Sequence, residues 1–185
     1  MAWDIVFPKN NEKEFALVAA QIGYEGLICV YPKGKPQKMP KTKIPLVGCN
    51  DIKAGTDKVR GMIEQRRAKV IYNFETLSKK DYMHHRGSGM NQVLAKLLAN
   101  REMGVGFAFS TLLHARSEWR GRLAGRLLQN IKLCRKYKVP MIVGSFATRP
   151  YEVRSFHDLQ AYYCSVGMHP KEVTDGNKWL TQARS

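Results

Sequence analysis

The chain has 185 residues, 44% of them hydrophobic and 25% charged, which suits a single globular domain over residues 1–185 and excludes extensive disorder. A chain of this length buries roughly 70% of its unfolded surface, so it needs neither disulfides nor a structural metal. Against 15 Asp+Glu it carries 31 Lys+Arg, a net charge of +16, and such an excess points to a polyanionic partner or to a generally basic protein of a salt-rich or hot cytoplasm.

The predicted elements alternate strand and helix. Trp3 to Phe7 reads as a strand closed by Pro8. Asn11 to Ile22 is a helix with Phe15, Val18, Ala19 and Ile22 on one face, ended by Gly23. Gly26 to Tyr31 and Ile44 to Cys49 are the second and third strands. Between them Tyr31 to Lys43 holds three prolines, five lysines and no acid, which makes it an exposed basic loop. Thr56 is placed to cap a helix to about Arg67. Ala68 to Phe74 is a fourth strand, Met90 to Arg101 a helix, and Gly104 to Phe109 a fifth strand. Ser117 opens a long helix to about Tyr137, and Val139 to Gly144 is the sixth strand. Ser155 and Asp158 form a capping box for a helix to Val166, and Pro170 starts the last helix, to about Thr181.

Several of these strands are continuously apolar, as strands covered by helices on both faces are, so a parallel α/β sheet or barrel is expected. Any further strand is sought in Thr76 to Arg86. Cys29, Cys49, Cys134 and Cys164 form no CxxC pair, and Cys29 and Cys134 lie in apolar patterns, which suits a reducing compartment. The N-terminus shows no signal segment and no run approaches the ~18 apolar residues of a membrane span, so a cytoplasmic protein without membrane attachment is expected.

Four groups of residues are candidates for binding RNA or phosphate. On the long helix, Trp119, Leu123, Leu127, Ile131 and Cys134 share one face at 100° intervals, and Arg122, Arg126, Lys132 and Lys136 fall opposite. Arg122 and Arg126 repel at i, i+4, so a row of one sign suggests either a phosphate partner or a plain solvated face. Arg120 falls near the apolar arc. In His84–Asn91, glycines and a serine precede a helix, and Arg86, Ser88 and Asn91 would form an anion site at its N-terminus or an ordinary capped loop. Arg149 and Arg154 follow the sixth strand, where α/β folds place their sites. Lys33, Lys35, Lys41 and Lys43 carry the charge of the proline-rich loop. The histidines, His84, His85, His114, His157 and His169, form no HxH or HExxH pair and read as structural, and the scarce, scattered carboxylates offer no catalytic centre of the polypeptide's own.

The segments HHRGSGMNQVLAKLLANREMGVGFAFS (His84–Ser110) and NIKLCRKYKVPMIVGSFATRPYEVRSFHDLQAYYCSVGM (Asn130–Met168) resemble the ribonuclease P protein component 3 family, the barrel-type subunit shared by archaeal and eukaryotic ribonuclease P. The family's Arg, Ser/Gly pair, Asn and V-L-A-K-L pattern falls on Arg86, Ser88, Gly89, Asn91 and Val93–Leu97. Its later pattern falls on Met141–Gly144, Ser145, Ala147, Arg154, Ser155, Gly167 and Met168, and Gln92 stands where the family often has His. The resemblance implies a TIM-like (β/α) barrel, here with fewer than eight regular strands because the chain is short. It implies an RNA that performs the catalysis with its own Mg2+, and a protein that holds no metal or cofactor. The implied partners are ribonuclease P RNA, a small RRM-like protein subunit and, indirectly, precursor tRNA. The HxH pair of barrel phosphoesterases is missing from Asp4–Phe7. The alternatives are a stand-alone metal-dependent phosphoesterase or nuclease of similar fold, and a general structured-RNA-binding protein.

Overall fold

The computed structural model describes residues 2–31, 39–78, 80–81 and 83–182. Along them run β1 (Trp3–Val6), α1 (Glu12–Gln21), β2 (Gly26–Val30), β3 (Leu46–Cys49), β4 (Ile52–Ala54), α2 (Val59–Glu64) and β5 (Val70–Tyr72). Then come α3 (Gln92–Asn100), β6 (Gly104–Ala108), α4 (Phe109–Leu113), α5 (Ser117–Tyr137), β7 (Met141–Gly144), α6 (Phe156–Val166) and α7 (Pro170–Gln182). Short 3-10 turns occupy Phe74–Thr76 and Pro150–Glu152.

All ladders are parallel, in the orders β1-β2-β3 and β4-β5-β6-β7. Only Asn50 and Asp51 separate β3 from β4. This single extended stretch pairs backward with β2 and, past its kink, forward with β5, so it passes the hydrogen bonding from one sheet to the other. At the other seam Val6 forms a parallel bridge with Ala147, and the Phe7 amide donates to the Ala147 carbonyl at 2.8 Å. The strands are therefore arranged in barrel order, with no fully closed ladder among the described residues.

Side chains alternate across this wall with the period of two that strands impose. Ile5, Ile28, Val30, Cys49, Ile52, Val70 and Ile142 fill the interior, and Val6, Leu27 and Cys29 pack outward with Phe15, Ala16 and Ala19 of α1. The interior is narrow: a Cβ on Gly106 would lie 2.8 Å from both Phe146 and Tyr72. At the end where the strands begin, the Trp3 amide donates to Asn177 Oδ1 (3.2 Å) and Asn177 Nδ2 donates back to the Trp3 carbonyl (2.7 Å), which docks α7. At the other end Phe7, Tyr72 and Phe146 close the interior, with ring centroids 4.9–6.3 Å apart.

The structure departs from the sequence reading at two local points and agrees with it at a third. The extra strand is Ile52–Ala54; the described part of Thr76–Arg86 is a turn and irregular chain. Ile52 is the one buried residue of β4, so no apolar pattern announces it. Thr56 makes a turn, its carbonyl accepting from the Val59 amide at 2.9 Å, and α2 begins only at Val59 without a side-chain cap. Ser155 does cap α6, accepting from the Asp158 amide at 3.1 Å.

Asp4 sits fully buried in the seam between β1 and β7, where ladder bonds are sparse. Its Oδ1 accepts from the amides of Ile5 (2.8 Å) and Ser145 (2.7 Å). Burial pushes its carboxyl from 3.8 up to about 6, although the Ser145 hydroxyl and amide pull the other way. A carboxyl whose folded pKa lies above its unfolded value loses stability as pH rises between the two, here from about 4 to about 6. Asp4→Asn keeps the acceptor and should flatten that slope in thermal unfolding scans across pH. Asp4→Ala leaves the Ser145 amide buried without a partner and should cost about 1–3 kcal/mol at any pH. Equal stability of the two variants would contradict this account of the seam.

Candidate nucleic-acid interface

The segment joining β5 to α3 folds over one side of α5, and Arg126 of that helix holds it. Only 1% of Arg126 is exposed. Its Nε donates to Asp81 Oδ1 at 2.8 Å, and Nη1 donates to the carbonyls of Glu75 (2.8 Å) and Ser78 (2.7 Å). The remaining Nη2 is buried with no acceptor among the described residues. This corrects the outward row expected on α5: Arg122, Lys132 and Lys136 are exposed, but Arg126 faces the overlying segment.

Asp81 gathers further cations. Arg86 Nη1 and Arg122 Nε lie 3.9 and 3.8 Å from its Oδ2, and both side chains stay about half exposed. Arg86 runs across Gly125, where any Cβ would collide with the guanidinium. Arg122 stacks over the Trp119 ring, 4.7 Å from its centroid. Burial works against the charge on Asp81, but the Gly87 amide and the Arg126 guanidinium outweigh it and hold the carboxyl below its usual range. One carboxylate thus orders three guanidinium groups and leaves a net positive surface.

The rest of the His84–Asn91 segment is bonded within the protein. Asn91 Oδ1 accepts from the Leu94 amide at 2.9 Å and so caps α3. Ser88 is buried; its hydroxyl accepts from Gln129 Nε2 (2.7 Å) and its carbonyl from Asn130 Nδ2 (3.1 Å), both on α5. Gly89 has φ +72°, and a side chain there would overlap the Phe74 carbonyl. Of these candidates, Arg86 and Asn91 are exposed and Ser88 is buried, and the side-chain oxygen of Asn91 is already used in the cap.

A cleft of about 660 Å³ opens at the C-terminal ends of β1, β5, β6 and β7. Phe7, Tyr72 and Phe146 form its floor, and His114, Arg116 and Trp119 stand on its wall beside Arg126. The Thr111 hydroxyl donates to Asn73 Oδ1 at 2.6 Å, tying β5 and β6 together at the rim. His114 Nε2 lies 2.9 Å from Glu152 Oε1, and Glu152 Oε2 accepts from the Thr148 and Arg149 amides at 2.9 and 3.1 Å. Burial opposes charge on Glu152, but His114 and Thr148 hold its carboxyl below the usual range. Behind the Arg126 clamp, burial pushes Glu75 from 4.5 up to about 7. The described residues contain no group of three or more His, Cys, Asp or Glu able to hold a metal ion.

The other candidates are scattered. Arg149 is exposed and donates to the Tyr151 hydroxyl, and Arg154 Nη1 donates to the Tyr151 carbonyl at 2.9 Å on the same loop. Arg120 points away from the Asp81 cluster, its Nε 3.2 Å from the Ala115 carbonyl. Lys41 and Lys43 are exposed on the crossover into β3, whereas Lys33 and Lys35 lie outside the described residues. The sequence reading missed Asp81, Trp119 as a surface group, and the His114–Arg116 wall. A lone acid inside a basic stretch, and an aromatic three residues before an arginine on a helix, were the available signals.

The fold and site define a parallel α/β protein in barrel order, with cations and aromatic rings at its open end. A sequence model of the family described as RNase P subunit p30 matches residues 76–180, and the chain belongs to that family. The ribonuclease P protein component 3 of Methanosarcina mazei is 27% identical over 190 residues, covering 90% of this chain and 79% of the relative. That of Methanosarcina barkeri is 26% identical, with 90% and 79% covered. A chain of the cryo-EM structure of archaeal ribonuclease P with mature tRNA superimposes with a TM-score of 0.63 at 17% identity, covering 94% of this chain and 87% of that one, and so shares the fold.

Removing one partner of a buried charged network costs about 3–5 kcal/mol. Arg126→Ala should therefore lower Tm by roughly 6–20 °C for a chain of this size. Arg122→Ala removes only a screened, half-exposed pair and should shift stability by less than ~1 kcal/mol. Differential scanning calorimetry of the two variants checks the contrast; an Arg126→Ala protein as stable as the parent would mean the clamp is not what holds the segment.

Proposed function

We propose that this chain is a protein subunit of ribonuclease P, the RNA-based endonuclease that removes the 5′ leader of precursor tRNA, and that the RNA performs the chemistry with Mg2+ ions it holds itself. The observation that carries this reading is the family match over residues 76–180, which spans the Asp81 cluster, α5 and most of the residues lining the barrel mouth. The exposed cations support it. Arg86, Arg122, Lys132 and Lys136 lie on or beside one helix, and phosphate neutralisation by such groups lowers the repulsion between folded RNA segments. Arg149, Arg154, Lys41 and Lys43, together with Lys33 and Lys35 of the basic loop, are further candidates for backbone contact; Arg120, Ser88 and Asn91 would act from the bonds already described. In this reading the protein works as a heteromer with a small RRM-like subunit and meets precursor tRNA only indirectly.

Cleavage of precursor tRNA at limiting Mg2+ tests this directly. Ribonuclease P RNA with this protein and the RRM-like subunit should release the leader efficiently, and the protein alone should not. Cleavage by the protein alone would overturn the assignment. In the same system Arg122→Ala with Lys132→Ala should weaken RNA binding and reduce the salt slope of the affinity by about 1 for each phosphate that is no longer neutralised.

A further inference from the structure

We propose that the barrel mouth is a binding site for a single nucleotide, taken either as a free mononucleotide or as one unpaired residue of a strand, and that this site is separate from the basic face of α5. The argument begins with the buried guanidinium. Arg126 is 1% exposed and lines the cleft, and its Nη2 has no acceptor among the described residues. Buried donors are nearly always satisfied, so a guanidinium nitrogen with no acceptor among the described residues, on a side chain that lines a cavity, suits an acceptor brought by a ligand. A phosphate oxygen suits it, because the planar guanidinium favours that geometry.

The surroundings carry the same preference. His114 and Arg116 stand on the cleft wall near Arg126. The carboxylates near these groups are already engaged: Glu152 is buried against His114 and the Thr148 and Arg149 amides, and Asp81 is bonded to Arg126 and the Gly87 amide. Among the described residues no Asp or Glu lines the cleft. An anion entering it therefore meets Arg116, Arg126 and the His114 ring, and no carboxylate on the lining opposes it.

Charge alone would admit inorganic phosphate, but the cleft is too large and too apolar for that. Its ~660 Å³ falls in the range that holds cofactor-sized ligands. Phe7, Tyr72 and Phe146 give it an aromatic floor, and Trp119, 37% exposed, adds an indole at the rim. Arg122 stacked over that indole keeps it upright. A flat, apolar ring joined to a phosphate is the ligand that satisfies both halves, and a nucleotide supplies both. The asparagine and hydroxyls at the rim, Asn73, Thr111 and Thr148, offer hydrogen bonds to sugar or base edges. This inference stands independently of the ribonuclease P assignment, since neither the cleft nor its ligand is needed for a subunit that binds RNA on its outer face.

Isothermal titration of the full chain at 0.3 M salt tests it, with adenosine 5′-monophosphate, adenosine, inorganic phosphate and a tetra-adenylate RNA as titrants. Adenosine 5′-monophosphate or the tetranucleotide should bind at least about tenfold tighter than adenosine or phosphate alone. Trp119→Leu, which changes no charge, and Arg116→Ala should each weaken that binding by roughly tenfold, the scale of one stacked base or one phosphate bond. Both residues are exposed, so unchanged unfolding curves will separate lost binding from lost fold. Binding of the mononucleotide identifies a free ligand; binding of the tetranucleotide alone identifies a strand, and either supports the site. Absence of binding by both, phosphate binding as tight as the nucleotide's, or affinity untouched by both substitutions would overturn it.

Discussion

The Arg126 guanidinium makes the functional end of this molecule possible. The connection from β5 to α3 is long, and its described residues form no strand or α-helix. Such a segment must find partners for its carbonyls outside regular structure. Arg126 supplies them for Glu75 and Ser78 and adds a charge-assisted bond to Asp81. Once Asp81 is fixed, Arg86 and Arg122 gather near its second oxygen, and Arg122 in turn holds Trp119. The outer basic face and the wall of the barrel mouth are therefore two sides of one clamp. Burying a guanidinium is costly unless its donors are met, and here three bonds offset most of that cost while one nitrogen has no acceptor among the described residues.

The fold was largely legible because its strands are buried on both faces. GLICV in β2, GVGFA in β6 and MIVG in β7 are continuous apolar runs, and every residue in them is buried. The cap at Ser155 was legible because both partners lie within one turn. β4 was not, since three residues with one buried side chain carry no periodicity. The basic face was read in part. A helical wheel assumes that solvent lies opposite the apolar stripe, and for α5 that assumption fails where the 74–91 segment covers its flank. Ser88 and Asn91 stood out as a motif, and their spacing fits a phosphate loop or a capped turn equally well; only the bonds from Gln129, Asn130 and Leu94 show how they are used. Nothing local announced that Arg86 would lie on Gly125, because that approach depends on how two distant segments meet.

Folding also redistributes the charge that the composition declares. The buried charged side chains among the described residues are Asp4, Glu12, Glu75, Glu152 and Arg126: four carboxylates and one cation. Each acid has a structural reason to be inside, at the β1–β7 seam, under Tyr31, behind the clamp or against His114. The consequence is electrostatic. With acids withdrawn and cations left outside, the surface is more basic than the net +16 of the chain suggests. Asp4 and Glu75 strengthen this, because burial raises them to about 6 and about 7, so that part of their negative charge is absent near neutral pH. A surface of this kind repels itself, and the repulsion is relieved when phosphates neutralise it. The stability of the free protein and its affinity for a polyanion are thus opposed: every acid moved inward sharpens the attraction for nucleic acid at the expense of the isolated fold. The seam and the clamp are where that tension is held, since each buries a carboxyl, Asp4 in the one and Glu75 behind the other.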